Sequence, residues 1–332
     1  MITHLVFDGV ADGPMGVALD IVGAAARVVR AGLAALPKGR GAPGQRIVSV
    51  DGAPVRTAAG RTLTVDGALS LRGMGPGDVL VLPGLGMATA PEIAAALERP
   101  DIVRGVEWVA RAAAKGVLVA ASCSATFVLA AARVLDGQRA TTTWWLGPVF
   151  AQRFPRVLLR SDRMVVESDG AFTAGSAFAH ADLMLAILAR TLSPSVAHTV
   201  ARYLVLDERA SQARYMVLAH LGGSDPVIRQ LESFVTSNLE RQSTLHEMAR
   251  ATATSPRTLA RRVAKGLGIT PQRFAQRLRV AQAVHLLETT QHPVDEVAAR
   301  VGYADPAAFR RVFRRETGES PRARRTRSMR PD

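Results

Sequence analysis

The sequence predicts an α/β domain built on a parallel sheet, followed by an all-α domain. Three observations carry this reading. The first two-thirds of the 332 residues alternates strand-like with helix-like segments, the pattern of a sheet covered by helices on both faces. Strand signals stop near residue 222, where Gly222, Gly223 and Pro226 act as breakers, and the rest reads as helix. Charge follows the same divide: from Pro226 onward 20 Lys+Arg face 10 Asp+Glu, a net of +10, whereas residues 1–225 hold 22 against 18, a net of +4.

"HLVFDGV" reads as a strand, and "MGVALDIVGAAARVVRAGLAAL" (residues 15–36) as a long helix with apolar residues at helical spacing. Pro37 to Gln45 is a Pro/Gly-rich loop, and "RIVSVDG" and "RTLTVDG" are short strands ending in Asp-Gly turns. "DVLVLPGLG" is a buried strand running into a glycine turn, with helices beginning at Pro91 and Asp101. "GVLVAAS" is the next buried strand, and after it a turn at Cys123 leads into a helix reaching about Leu135. "RMVVESDGAFTAGS" reads as a hairpin. Helices follow from Ala177 to Leu192 and from Pro194 to about Leu206. The expected organisation is a first domain over 1–195, a helical linker over 196–225 and a helical domain over 226–325.

Composition excludes several classes. One cysteine allows no internal disulfide and suits a reducing cytoplasm. Asp8 and Asp12 interrupt what a leader peptide would need as its apolar core. The longest charge-free run, between Lys115 and Arg133, is explained as strand, turn and helix rather than as a membrane span. No metal or cofactor is expected. The basic C-terminal third points to a polyanion, and nucleic acid is favoured. An arginine-rich composition, with only three lysines in the chain, would not by itself gather the excess into one third.

Within that third, Ser255-Pro256, Thr270-Pro271 and Asp305-Pro306 each place an N-cap residue before proline at the first helical position. The helix from Pro256 puts Leu259 and Val263 on one face and Arg257, Arg261, Arg262 and Lys265 away from it. The helix from Pro306 turns Phe309, Val312 and Phe313 inward and Arg310, Arg311, Arg314 and Arg315 outward, and stops at Gly318. A shorter apolar helix precedes each, "TLHEMARA" and "VDEVAARVG". Short helix, tight turn and arginine-faced helix is the helix-turn-helix plan, whose second helix enters the major groove. A spacer from Pro271 to Glu288 spans about 27 Å, near the ~34 Å between successive major grooves.

The stretch "SPRTLARRVAKGLGITPQRFAQRLRVAQAVHLLETTQHPVDEVAARVGYADPAAFRRVFRRETGESP" closely resembles the DNA-binding domain of the AraC/XylS transcription regulators. The resemblance implies double-stranded DNA as partner and RNA polymerase as a further one. It implies base reading by Arg257, Ala260 and Arg261 in the first recognition helix and by Ala307 and Arg311 in the second. Arg can reach guanine O6/N7 in a bidentate way, and Ala offers only apolar contact to a thymine methyl. Arg262, Lys265, Arg310 and Arg314 are expected near phosphate.

The N-terminal part, through "VLVLPGLG", "LVAASCSATFVLAAARVLDGQRATTTWW" and "DGAFTAGSAFAHADLMLAIL", resembles the DJ-1/PfpI branch of the class I glutamine-amidotransferase-like fold, a flavodoxin-like α/β sandwich. The resemblance implies that Cys123 sits on a strained elbow that lifts its sulfur clear of the sheet, with helix-start amides stabilising a thiolate. Active members place a histidine about twenty residues later; here that position is Thr143, which cannot take a proton from a thiol near pH 7. An acidic position of the first helix falls on or near Asp20. His180 is the one candidate for a relocated base, and a capping or packed histidine is the commoner arrangement. The expected role of Cys123 is therefore the floor of a ligand pocket, ahead of a purely structural cysteine and of a nucleophile, with Ser124, Asp20, Gly84, Thr143 and Trp144 lining the same site and no catalytic residue.

The function expected is a sequence-specific DNA-binding transcription regulator, a homodimer, whose first domain senses a small metabolite without catalysis. Resemblance suggests amino acids, quaternary amines or their catabolites as effectors. The competing readings are a cysteine hydrolase or deglycase fused to a DNA-binding domain, and a redox or electrophile sensor acting through Cys123.

Overall fold

The computed structural model describes the chain except for residues 38–40, 208, 210, 211, 213–224, 268 and 329–332, and no side chain is described at 265, 266, 327 and 328. The breakers Gly222 and Gly223 and the side chain of Lys265 thus lie outside the described residues. The chain divides into two compact units, Met1–Gln212 and Ala213–Asp332.

In the first unit a six-stranded sheet runs in the order β2-β1-β5-β6-β10-β9. Its strands are β1 (Ile2–Leu5), β2 (Gln45–Val48), β5 (Val79–Leu82), β6 (Leu118–Ser122), β9 (Val165–Ser168) and β10 (Ala171–Ala174). All pairings are parallel except β10 with β9, the expected hairpin. β3 (Val55–Arg56) pairs with β4 (Thr62–Leu63), and β7 (Arg139–Ala140) with β8 (Leu158–Leu159), as small separate sheets.

Alternate residues of the central strands feed two cores. Leu80, Leu82, Val119 and Ala121 join Ile93, Ile102, Val109 and Phe127 from α2 (Ala90–Leu97), α3 (Pro100–Ala114) and α4 (Thr126–Ala131). Val79, Val81, Ala120 and Phe172 join Ile21, Val22, Leu183, Ile187 and Val196 from α1 (Asp12–Arg30), α6 (Ala179–Thr191) and α7 (Pro194–Tyr203). β5 is therefore buried on both faces, and each leucine removed from water there stabilises the fold by about 2 kcal/mol. A short helix α5 (Gly147–Arg153) follows the Trp144–Leu146 turn.

The second unit is helical: α8 (Pro226–Thr236), α9 (Leu245–Ala251), α10 (Pro256–Leu267), α11 (Pro271–Thr289), α12 (Val294–Arg300), α13 (Pro306–Thr317) and α14 (Pro321–Ser328). The three expected caps are made. Ser255 Oγ accepts from Thr258 N–H at 3.1 Å, Thr270 Oγ1 from Arg273 N–H at 3.2 Å, and the Asp305 carboxylate from Ala307 and Ala308 N–H. Gly318 closes α13 with φ 83°. The spacer α11 has 19 residues, about 28 Å. It packs on α8, α9 and α10 on one side and on α12, α13 and α14 on the other, so it joins the two helix-turn-helix units rigidly. Arg277 on α11, 6% exposed, bonds Glu316 of α13 at 3.3 Å, a buried pair that fixes their relative placement.

Candidate functional sites

β6 delivers Cys123 to a backbone conformation few L-residues adopt, φ 54°, before a 3₁₀ turn (Cys123–Ala125) leads into α4. Distant segments hold this elbow. Cys123 N–H donates to Gly175 C=O at 2.7 Å, and Thr142 Oγ1–H donates to Cys123 C=O at 2.8 Å. Gly84 is required opposite: a Cβ there would lie 2.9 Å from that of Cys123. Ser124 clamps the glycine turn after β5, donating its hydroxyl to Leu85 C=O at 2.5 Å and accepting from Leu85 N–H at 3.1 Å. The Leu85 amide, which could otherwise meet a developing oxyanion, is thereby already satisfied.

The elbow is present, but the sulfur is not lifted clear. Cys123 is 5% exposed, and burial pushes its thiol pKa up. The Ser124 N–H and the Ser124 and Thr143 hydroxyls pull it down and are outweighed. The expectation of an amide-stabilised thiolate is corrected: desolvation beats the helix start here.

Thr143, fully buried, places its hydroxyl beside the sulfur and has no other partner among the described residues. His180 is not a base for this thiol. Its Nδ1 meets Ser122 Oγ at 2.8 Å, and the groups that act on the thiol are those of Ser124 and Thr143, with no His180 among them. Burial, then the nearby His4, lowers His180 to about 3, which keeps it neutral. Asp20 is exposed on α1, while the thiol is buried. The acid falls on the outward face of a helix whose buried stripe is Ala18, Ile21 and Val22. Trp144 is 7% exposed and meets Trp145 edge to face at 5.3 Å. Cys123, Ser124, Gly84 and Thr143 thus come together.

Sequence reasoning missed Gln212, whose side chain is 1% exposed among Thr141, Thr142, Ser161 and Gly175. It lies in a stretch read as linker, where no periodicity marks a buried residue.

In the second unit, Arg257, Arg261, Arg311 and Arg314 are exposed on α10 and α13, as is Ala307, while Ala260 is half-buried. Arg257, Arg261 and Arg314 make no ion pair among the described residues. Arg311 lies 3.9 Å from the Asp305 carboxylate. Arg262 is tied to the Asp225 cap of α8 at 2.9 Å, and Arg310 to Asp295 at 2.5 Å. These two arginines therefore brace helices as well as adding positive potential.

Residues 40–190 match the DJ-1/PfpI family, and residues 248–327 match a helix-turn-helix domain. The transcriptional regulator CdhR of Pseudomonas aeruginosa is 28% identical over 83% of this chain and 79% of its own. Each of the two domains thus carries a match of its own, the first to the DJ-1/PfpI family and the second to a helix-turn-helix domain. The regulator GlxA of Rhizobium meliloti is 28% identical over 64% of this chain and 66% of its own. A crystal structure described as a transcriptional regulator protein from Vibrio parahaemolyticus shares the fold, with TM-score 0.50 and 16% identity over 61% of this chain and 97% of that one. No helix among the described residues is long and apolar enough to cross a membrane, and no described side chains form a metal-binding cluster.

Proposed function

We propose that this chain is an AraC-type regulator that binds duplex DNA through α10 and α13, and that its DJ-1/PfpI-like domain recognises a small molecule beside Cys123 without turning it over. The observation that carries the DNA reading is a pair of capped recognition helices with exposed arginines, held apart by one rigid spacer of about 28 Å. Base reading is assigned to Arg257, Ala260, Arg261, Ala307 and Arg311, and phosphate contact to Arg314. Arg262 and Arg310 contribute mainly by bracing. The absence of turnover rests on a buried, protonated thiol, a hydroxyl at Thr143 where a base is needed, and an occupied Leu85 amide. The protein is proposed to act in the cytoplasm as a homodimer, contacting RNA polymerase. Fluorescence anisotropy with labelled duplex tests the first part. Affinity should fall steeply with salt, each neutralised phosphate contributing about −0.9 to the log–log slope, and a flat response would refute it.

A further inference from the structure

Gln212 ends the first unit, and the chain runs on through residues 213–225 to the DNA-binding helices. Its side chain is nevertheless sealed inside that unit, 1% exposed. Nε2 donates to Thr142 C=O and Ser161 C=O, both at 2.9 Å, and Thr141 Oγ1 is a third oxygen at 3.2 Å. The two carbonyls settle which end of the carboxamide is nitrogen, because a carbonyl oxygen cannot donate. Oε1 is buried with no partner among the described residues. The carboxamide also presses on Gly175, where an added Cβ would lie 2.3 Å from Oε1. Three residues earlier, Arg209 donates to Phe178 C=O at 2.7 Å and pairs with Asp182 at 2.5 Å.

The fit is incomplete in a specific way. Three acceptor oxygens surround a nitrogen that carries two hydrogens, and the other end of the amide has nothing to accept from. A primary ammonium carries three donors and no acceptor, which suits this cradle better than an amide does. A quaternary ammonium has no N–H and could donate to none of the three oxygens. Thr142 and Gly175 are also the residues that hold the Cys123 backbone, so the cradle is continuous with the thiol site.

We propose that Gln212 is a tethered stand-in for the effector. Thr141 Oγ1, Thr142 C=O and Ser161 C=O form the subsite for the primary ammonium group of a small amine, and its binding expels the Gln212 carboxamide. This rests on the sensor reading above. Expulsion gives up the hydrogen bonds of Nε2, which the ammonium replaces, and moves only the end of a flexible side chain, since the Gln212 backbone N–H is held separately by Asp162 C=O at 3.2 Å.

The test uses full-length protein titrated calorimetrically with n-butylammonium and with tetramethylammonium chloride. Gln212→Ala should bind n-butylammonium about tenfold tighter than the unmodified protein, as for a site nine-tenths filled by its own side chain. Tetramethylammonium should bind neither. Gly175→Ala should expel the carboxamide sterically, so hydrogen exchange of the peptide containing Gln212 should rise without ligand, as n-butylammonium makes it rise in the unmodified protein. Circular dichroism confirms that the variants are folded. Equal n-butylammonium affinity with and without Gln212, or equal binding of tetramethylammonium, overturns the subsite. Loss of DNA binding by the unmodified protein would instead strike at the function on which the proposal rests.

Discussion

The two helix-turn-helix units close their turns identically, yet with different residues, and this makes a sharp prediction. After α9, Ala253 takes φ 49° and Thr254 N–H donates to Ala249 C=O at 2.9 Å. After α12, Gly302 takes φ 81° and Tyr303 N–H donates to Ala298 C=O at 2.9 Å. Ala253 bears the left-handed penalty of an L-residue, about 1–2 kcal/mol, whereas glycine there would lose about 0.5–1 kcal/mol more chain entropy on folding. Ala253→Gly should therefore stabilise the second unit by about 0.5–1 kcal/mol. The converse change is not its mirror image. A Cβ at Gly302 would stand 2.6 Å from Leu239 C=O, so Gly302→Ala adds a backbone collision to the dihedral strain. About 1–3 kcal/mol for each makes a loss of roughly 2–6 kcal/mol. All three tryptophans, Trp108, Trp144 and Trp145, lie in the first unit. In urea titrations their fluorescence should be unmoved by either variant, while the far-ultraviolet transition of the helical unit shifts. Destabilisation by Ala253→Gly, or tolerance of Gly302→Ala, would refute the geometric argument.

Burial holds His4 at about 4 and His180 at about 3, both below the ordinary 6.5. Both are neutral when folded, so their contribution is present above pH 6.5 and is lost as pH falls; at pH 5 each costs about 2 kcal/mol (1.5 pH units at about 1.36 kcal/mol each). Urea midpoints read by tryptophan fluorescence should fall between pH 7 and 5, and should do so less in His180→Asn; a flat profile contradicts this. Cys123 should resist iodoacetamide at pH 8 in the folded protein and react in urea, and no amidase, peptidase or deglycase turnover should exceed a Cys123→Ala control. Rapid alkylation of the folded chain would revive the nucleophile and sensor readings. Arg257→Ala and Arg311→Ala should each lose about 1–3 kcal/mol at the specific site and relax base preference, whereas Arg314→Ala should weaken all sequences alike.

Elements with a long continuous signal were legible. β5 and β6 are apolar runs and sit at the centre of the sheet, and the caps at Ser255, Thr270 and Asp305 mark their helices to the residue. Two-residue strands such as β3 and β7 carry no period and were invisible. Helix ends slipped where a single left-handed residue decides them: α1 stops at Arg30 and not Leu36 because Gly32 follows with φ 68°, and α4 stops at Ala131 with Arg133 at φ 62°. The thiol elbow could be read from the residues around Cys123, but its depth could not. That depth is set by Gly84, Leu85, Thr142 and Gly175, which approach from three other parts of the chain. Gln212 shows the same limit, since its burial depends on partners 51 to 71 residues away.

The spacing of the two recognition helices is the central claim, and selection from a random duplex pool tests it most directly. Full-length protein should enrich sequences holding two short conserved blocks about one helical turn, roughly 10 bp, apart on one face of the DNA, as the α11 spacer requires. Arg257→Ala should relax one block and Arg311→Ala the other. Enrichment of a single block, of two blocks half a turn apart, or of no sequence at all would contradict the account.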